Sequence, residues 1–115
     1  SVVSPQAVVL TPKNFSQIFS TNKPIIIDVW HPDFVTCRLH SPLFSDLFPN
    51  LKSLDIYKLD AKTYPKLAKK IGISTFPSLL IYQKGRLIHQ IESYIEPETA
   101  PKVNQQIKKL LIKSQ

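Results

Sequence analysis

Cys37 is the one cysteine in this 115-residue sequence, and a thiol is the side chain best suited to nucleophilic or redox chemistry. A single thiol excludes an intramolecular disulfide and a multi-cysteine metal site within the chain. Cys37 and His40 form a C-x-x-H pair, which supplies two ligands where a structural zinc site needs four. We therefore predict no metal and no other cofactor. The pair leaves open whether His40 serves Cys37 as a base or is a surface histidine.

Asp28 is the second candidate, because it interrupts the otherwise apolar run Pro24–Trp30. The length and β-branched content of that run predict a strand that is covered on both faces. A carboxylate in such a strand loses its hydration, so we expect its pKa to be raised.

The elements that must position these residues follow the order βαβαβαββα. Strands are predicted at Ala7–Leu10, Pro24–Trp30, Leu54–Leu59, Ser78–Gln83 and Arg86–Glu92. The first helix is predicted to begin at Thr11–Pro12. The second is predicted to run from about Cys37 to Phe48 with a kink at Pro42, and the third to span Tyr64–Gly72. The last helix is predicted to carry an apolar face formed by Val103, Ile107, Leu110 and Leu111. Alternating helices and strands favour a parallel sheet core, and Lys84-Gly85 predicts a hairpin that adds an antiparallel edge.

The length fits one α/β domain over residues 1–115, because domains typically have roughly 100–150 residues. No apolar run approaches the roughly 20 residues of a membrane span, so we expect a soluble protein. The sequence leaves its compartment open between the cytoplasm and the endoplasmic reticulum lumen or the exterior.

The formal net charge of +7 falls entirely in residues 58–115. Nearly all of the basic residues are lysines and no aromatic residues interleave with them, which argues against a nucleic-acid partner. This half is either a solvated lysine surface or a face that docks an acidic partner.

Five local sequences, in this order, resemble the thioredoxin family, including the a-type domains of protein disulfide isomerases. The matching positions are Ile26–Trp30, Cys37 with Pro42, Lys58–Asp60, Ile73–Ser78 and Lys84-Gly85. The resemblance covers the chain from about Val8 to Leu111. It implies the thioredoxin fold, in which helices flank a central mixed sheet.

The resemblance also exposes a departure at the redox site, which is Cys-x-x-Cys in the family. The matching tetrad here is Phe34-Val35-Thr36-Cys37, and the separations from Trp30 and to Pro42 both identify Cys37 as the second cysteine. Phe34 therefore stands in place of the nucleophilic first cysteine. Without that sulfur, Cys37 cannot complete a dithiol cycle unless an external thiol resolves it.

The resemblance implies roles for the remaining site residues. Asp28 and Lys58 would form a buried proton relay with Cys37, either still functional or simply an inherited polar pair. Trp30, Phe34, Thr36, Phe76 and Pro77 would line a groove that binds an extended peptide, with Phe76-Pro77 as the family's cis bond. Phe34 would either add to an exposed aromatic patch or fold inward and close the groove.

Three functions follow from these features. The first is a redox-inactive, chaperone-like module that binds a protein or extended peptide through the groove around Pro77. The second is a monothiol oxidoreductase, in which Cys37 acts with glutathione or another external thiol. The third is a structural subunit that docks an acidic partner through its lysine-rich half.

Overall fold

A mixed sheet forms the centre of the computed structural model, which describes residues 7–39 and 54–114. Its five strands lie in the spatial order β1-β3-β2-β4-β5. They are β1 (Val8–Val9), β2 (Ile25–Trp30), β3 (Asp55–Asp60), β4 (Ser78–Gln83) and β5 (Arg86–Ile91). β3 pairs in parallel with β1 and β2, whereas β4 pairs antiparallel with both β2 and β5. The antiparallel part therefore begins inside the sheet at β2, rather than only at its edge.

Four helices occur within the described residues, three of them between strands and the fourth after β5. They are a 3-10 helix (Phe15–Ser20), α1 (Val35–Leu39), α2 (Pro65–Ile71) and α3 (Ala100–Ser114). The order of elements is the predicted one, with α1 beginning at Val35 rather than at Cys37. Its predicted continuation to Phe48, with His40 and the kink at Pro42, lies outside the described residues. No helix in the described ranges has the length and apolar character that a membrane crossing requires.

The prediction that the first helix begins at Thr11–Pro12 is wrong, because side chains close a turn there instead. The Thr11 hydroxyl accepts a hydrogen bond from the Lys13 N–H at 3.2 Å, and the Asn14 side-chain oxygen accepts one from the Thr11 N–H at 2.8 Å. Local bonds of this kind compete with helical ones. The helix consequently starts at Phe15 and has 3-10 geometry.

β2 is buried on both faces of the sheet, as its run of isoleucines predicts. Ile25, Ile27 and Val29 pack into one apolar cluster, which includes Leu67 and Ala68 of α2 and is called here the α2-side core. Ile26 points to the other face, where it packs with Ile107 and Leu111 of α3 in the α3-side core. Successive strand residues point to opposite faces, so the sheet separates the two cores.

Two glycines fix the ends of elements. Gly72 has φ 91° and ends α2, its N–H donating to the carbonyls of Ala68 and Lys69. Lys84 and Gly85 have φ 54° and 73°, the left-handed pair that a tight two-residue hairpin requires. Both features were predicted from the sequence.

Candidate functional site

The candidate site lies where β2 ends and the loop before β4 approaches it. From Trp30 the chain enters a turn in which the Phe34 N–H donates to the His31 carbonyl at 3.1 Å, and α1 follows. The Cys37 N–H in turn donates to the Phe34 carbonyl at 3.1 Å. Opposite, the Phe76–Pro77 peptide bond is cis and leads directly into β4. The predicted tetrad and the predicted proline loop are adjacent in space, because the rings of Phe34 and Phe76 are in contact.

Three aromatic rings meet across these two loops and form what we call the aromatic cluster: His31, Phe34 and Phe76. Their ring centroids lie 5.0 Å apart for His31 and Phe34, 5.4 Å for Phe34 and Phe76, and 5.5 Å for His31 and Phe76. Phe34 is 44% exposed, so its ring packs on Phe76 without being buried. Phe34 meets both His31 and Phe76 edge to face, which is one of the arrangements that aromatic pairs prefer.

The aromatic cluster includes His31, which is not among the residues that the family resemblance places around the groove. Trp30 is half-buried at the end of β2, where its carbonyl accepts the Ala61 N–H at 2.8 Å. No pattern in the sequence predicts a partner for His31. The signal that could have found it is its spacing three residues before Phe34, which brings the two rings together when the loop turns back.

A side-chain hydrogen bond also ties the tetrad to the proline loop. The Thr36 hydroxyl donates to the Phe76 carbonyl at 3.2 Å. Within the proline loop, the Ser78 hydroxyl donates to the Thr75 carbonyl at 2.6 Å. Thr36, Phe34, Phe76 and Pro77 are therefore brought together, and Phe76 is held by a ring contact and a hydrogen bond from the same short segment.

Cys37 lies beneath the turn and is half-buried. Its Sγ accepts the His31 N–H at 3.3 Å. Burial raises the pKa of the Cys37 thiol above its ordinary value, the His31 N–H opposes this shift, and the charge of Asp28 adds to it. A thiol with a raised pKa is mostly protonated at neutral pH, which makes it a poor nucleophile.

Asp28 is buried in β2, with 4% of its surface exposed. Desolvation raises its pKa from 3.8 to about 6, against the opposing charge of Lys58, which is its register partner on β3. The expected upward shift is confirmed. The expected buried trio with Cys37 and Lys58 needs a correction, because Lys58 is exposed on the sheet; a lysine stem can lie along apolar surface while its ammonium stays hydrated.

A groove opens next to the aromatic cluster, and we call it the α2 groove. It has a volume of about 540 Å³ and lies between α2 and the loop that precedes β4. His31 and Phe76 belong to both the groove and the aromatic cluster. The two surfaces are therefore continuous.

Residues that could together hold a metal ion do not occur in the described part of the chain, where no group of three or more His, Cys, Asp or Glu side chains converges. His40, the second member of the C-x-x-H pair, lies outside that part. The prediction of no metal at this pair is therefore untested.

Comparisons with known proteins agree with this geometry. The thioredoxin family model matches residues 6–109. The thioredoxin of Alicyclobacillus acidocaldarius subsp. acidocaldarius is 27% identical over 86 residues, which cover 74% of this chain and 82% of that protein. The bifunctional thioredoxin reductase/thioredoxin of Mycobacterium leprae (strain TN) is 26% identical over 78 residues; these cover 67% of this chain but only 17% of that larger protein.

Solved structures show the same fold. The thioredoxin of Malassezia sympodialis superposes with a TM-score of 0.74 at 20% identity, covering 94% of this chain and 96% of that one. The thioredoxin of Trypanosoma brucei brucei gives a TM-score of 0.75 at 13% identity, covering 96% and 95%. At such identities these structures establish the fold alone, whereas the family model extends over most of the sequence. The chain therefore belongs to the thioredoxin family.

Proposed function

We propose that this domain binds extended segments of partner proteins, in a chaperone-like manner, and does not catalyse dithiol exchange. The observation that carries the proposal is the position of Phe34. Its half-exposed ring packs on Phe76 where the family resemblance expects the nucleophilic cysteine. The reactive position has thus been replaced by apolar contact surface, and aromatic side chains are enriched at protein interfaces.

The thiol chemistry supports the redox-inactive half of this proposal. Exchange needs one sulfur that attacks and a second that releases the mixed disulfide, and this sequence has one cysteine. Burial also raises the pKa of Cys37, so little thiolate is available at neutral pH. The same argument weighs against Cys37 acting as a monothiol with glutathione. Turnover of glutathione disulfide that Cys37→Ser abolishes would favour that alternative.

The position of Phe76 supports an extended partner. Phe76 lies at the end of the sheet, just before β4 begins, and is half-buried beside the exposed Phe34. Main-chain pairing next to a strand holds a bound segment in an extended conformation, and side-chain contacts select its sequence. The aromatic cluster supplies such contacts directly beside the backbone of Phe76.

The test measures binding to a permanently unfolded protein, reduced and carboxymethylated α-lactalbumin. We expect Phe34→Ala to weaken binding about fivefold to tenfold, because it truncates the central aromatic contact. Phe19→Ala is the matched control. Phe19 is 48% exposed, and its ring contacts are with Phe15 and Tyr82, away from the aromatic cluster.

Equal effects of the two substitutions, or no binding by the native domain, would contradict the binding role. The redox half is tested separately by insulin reduction. The native domain is expected to give background turnover, and Phe34→Cys is expected to gain activity by restoring the two-sulfur arrangement. Turnover by the native domain above background would overturn the redox-inactive assignment.

A further inference from the structure

The α2 groove has the size and lining of a side-chain pocket. Its volume of about 540 Å³ lies within the range of roughly 300–1,000 Å³ that ligand pockets occupy. Ala61, Ala68 and Ile73 give it an apolar floor, and Phe76 forms the side that it shares with the aromatic cluster. An apolar side chain of a segment bound at the aromatic cluster can therefore enter this groove.

The charge at the groove is of one sign. Among the described residues that line the groove, Lys69 is the one lysine or arginine, and none carries a carboxylate. Lys69 is exposed. Lys69 lies on α2, whose charged residues are Lys66, Lys69 and Lys70 with no acidic residue among them. Lys66 is three residues before Lys69 and thus its neighbour on the helix surface.

The nearby carboxylates are already engaged by other groups. Asp33 pairs with Lys62 at 3.0 Å. Asp60 accepts hydrogen bonds from the N–H groups of Lys62 and Thr63, and from the Thr63 hydroxyl. Within residues 7–39 and 54–114, Lys69 therefore lacks a carboxylate partner, and an incoming acidic group would supply one.

We propose that the α2 groove selects an acidic segment, which places an apolar side chain in the groove and a neighbouring carboxylate beside Lys69. This inference rests on the proposed binding function and adds the chemical class of its partner. The lysines of α3 belong to a different surface, because α3 packs on the α3-side core across the sheet. Selection by charge is consequently a property of the α2 face.

Three synthetic peptides test the proposal by fluorescence anisotropy. Each is extended and carries one central leucine, which is flanked by glutamates in the first peptide, by glutamines in the second and by lysines in the third. We expect the glutamate peptide to bind about threefold to fivefold more tightly than the glutamine peptide, and the lysine peptide to bind most weakly.

Two charge reversals locate the effect. Lys69→Glu is expected to weaken binding of the glutamate peptide about tenfold, because attraction at the groove becomes repulsion. Lys109→Glu is the matched control. It makes the same change in net charge at an exposed position of α3, and it is expected to alter binding less than about twofold.

A third variant tests the pocket itself. Ser74 lines the groove from an exposed position, so Ser74→Trp can fill the space without removing a core residue. We expect it to weaken the glutamate and glutamine peptides by a similar factor, while the ratio between them persists. Unchanged binding of both peptides to Ser74→Trp would overturn the assignment of the groove.

The remaining outcomes separate this inference from the function beneath it. Equal binding of all three peptides, still weakened by Phe34→Ala, would overturn acidic selection and leave the binding role standing. Equal losses with Lys69→Glu and Lys109→Glu would also overturn it, because net charge rather than the groove would then be responsible. Failure of every peptide to bind, together with failure to bind the unfolded protein, would overturn both.

Discussion

Neutralising Asp28 should change the pH dependence of stability in a defined window. Asp28 is 4% exposed, and desolvation raises its pKa from 3.8 to about 6. The folded state therefore holds a proton that the unfolded state releases at lower pH. As the pH rises from about 4 to about 6, the free energy of unfolding falls, and the whole effect of this shift is about 3 kcal/mol.

The Asp28→Asn variant replaces the protonated carboxyl by a neutral side chain of similar shape. Its free energy of unfolding should lack this contribution. The free energy of unfolding of the variant minus that of the wild type should thus rise by about 3 kcal/mol between pH 4 and pH 7 and stay level above pH 7. A loss of this size is a substantial part of the roughly 5–15 kcal/mol that stabilises a typical domain.

Urea unfolding at a series of pH values, followed by the fluorescence of Trp30, measures this difference. Trp30 is the one tryptophan of the chain and follows Asp28 by two residues in β2. Lys58→Gln provides a second arm, because the charge of Lys58 opposes the rise of the Asp28 pKa. Its removal should move the upper end of the window to higher pH. A variant-minus-wild-type curve that stays flat from pH 4 to pH 7 would refute the desolvation argument.

Three further predictions concern the thiol and two glycines. Native Cys37 should react with iodoacetamide more slowly than the urea-unfolded chain at pH 8, because burial raises its pKa; equal rates would show an unshielded thiol. Gly85→Ala should cost about 1–2 kcal/mol in urea unfolding, because φ is 73° and the new Cβ would lie 3.1 Å from a backbone oxygen. Gly72→Ala should cost about 1 kcal/mol, since its φ of 91° is also unfavourable but nothing lies within 4 Å; a larger loss there would contradict this ranking.

Much of the fold was predictable because its signals are local. The β-branched run of β2 specifies a doubly covered strand, and Pro65 and Gly72 mark the two ends of α2. The Lys84-Gly85 pair specifies its hairpin through its positive φ angles. In each case, a few adjacent residues contain the physical cause of the structure.

The sequence-based predictions for the site differ from the structure where distant parts of the chain form a side chain's surroundings. His31 joins the aromatic cluster because the loop turns back on itself and meets Phe76, 45 positions further along the sequence. Lys58 on β3 is exposed, although its register partner Asp28 on β2 is buried. The residue types of the site can be identified from the sequence, whereas the contacts among them depend on the tertiary structure.

The hydrogen bond from Thr36 to the Phe76 carbonyl has a consequence for the thermodynamics of capture. The carbonyl oxygen has two lone pairs, one of which already accepts the Thr36 hydroxyl. A partner N–H that pairs with the other gives up a bond to water, so the net gain from hydrogen bonding is small. The favourable free energy of association must then come mainly from removing the rings of Phe34 and Phe76 from water. Burial of apolar surface carries a negative heat-capacity change. The binding enthalpy, measured by calorimetry, should therefore become steadily more negative as the temperature rises.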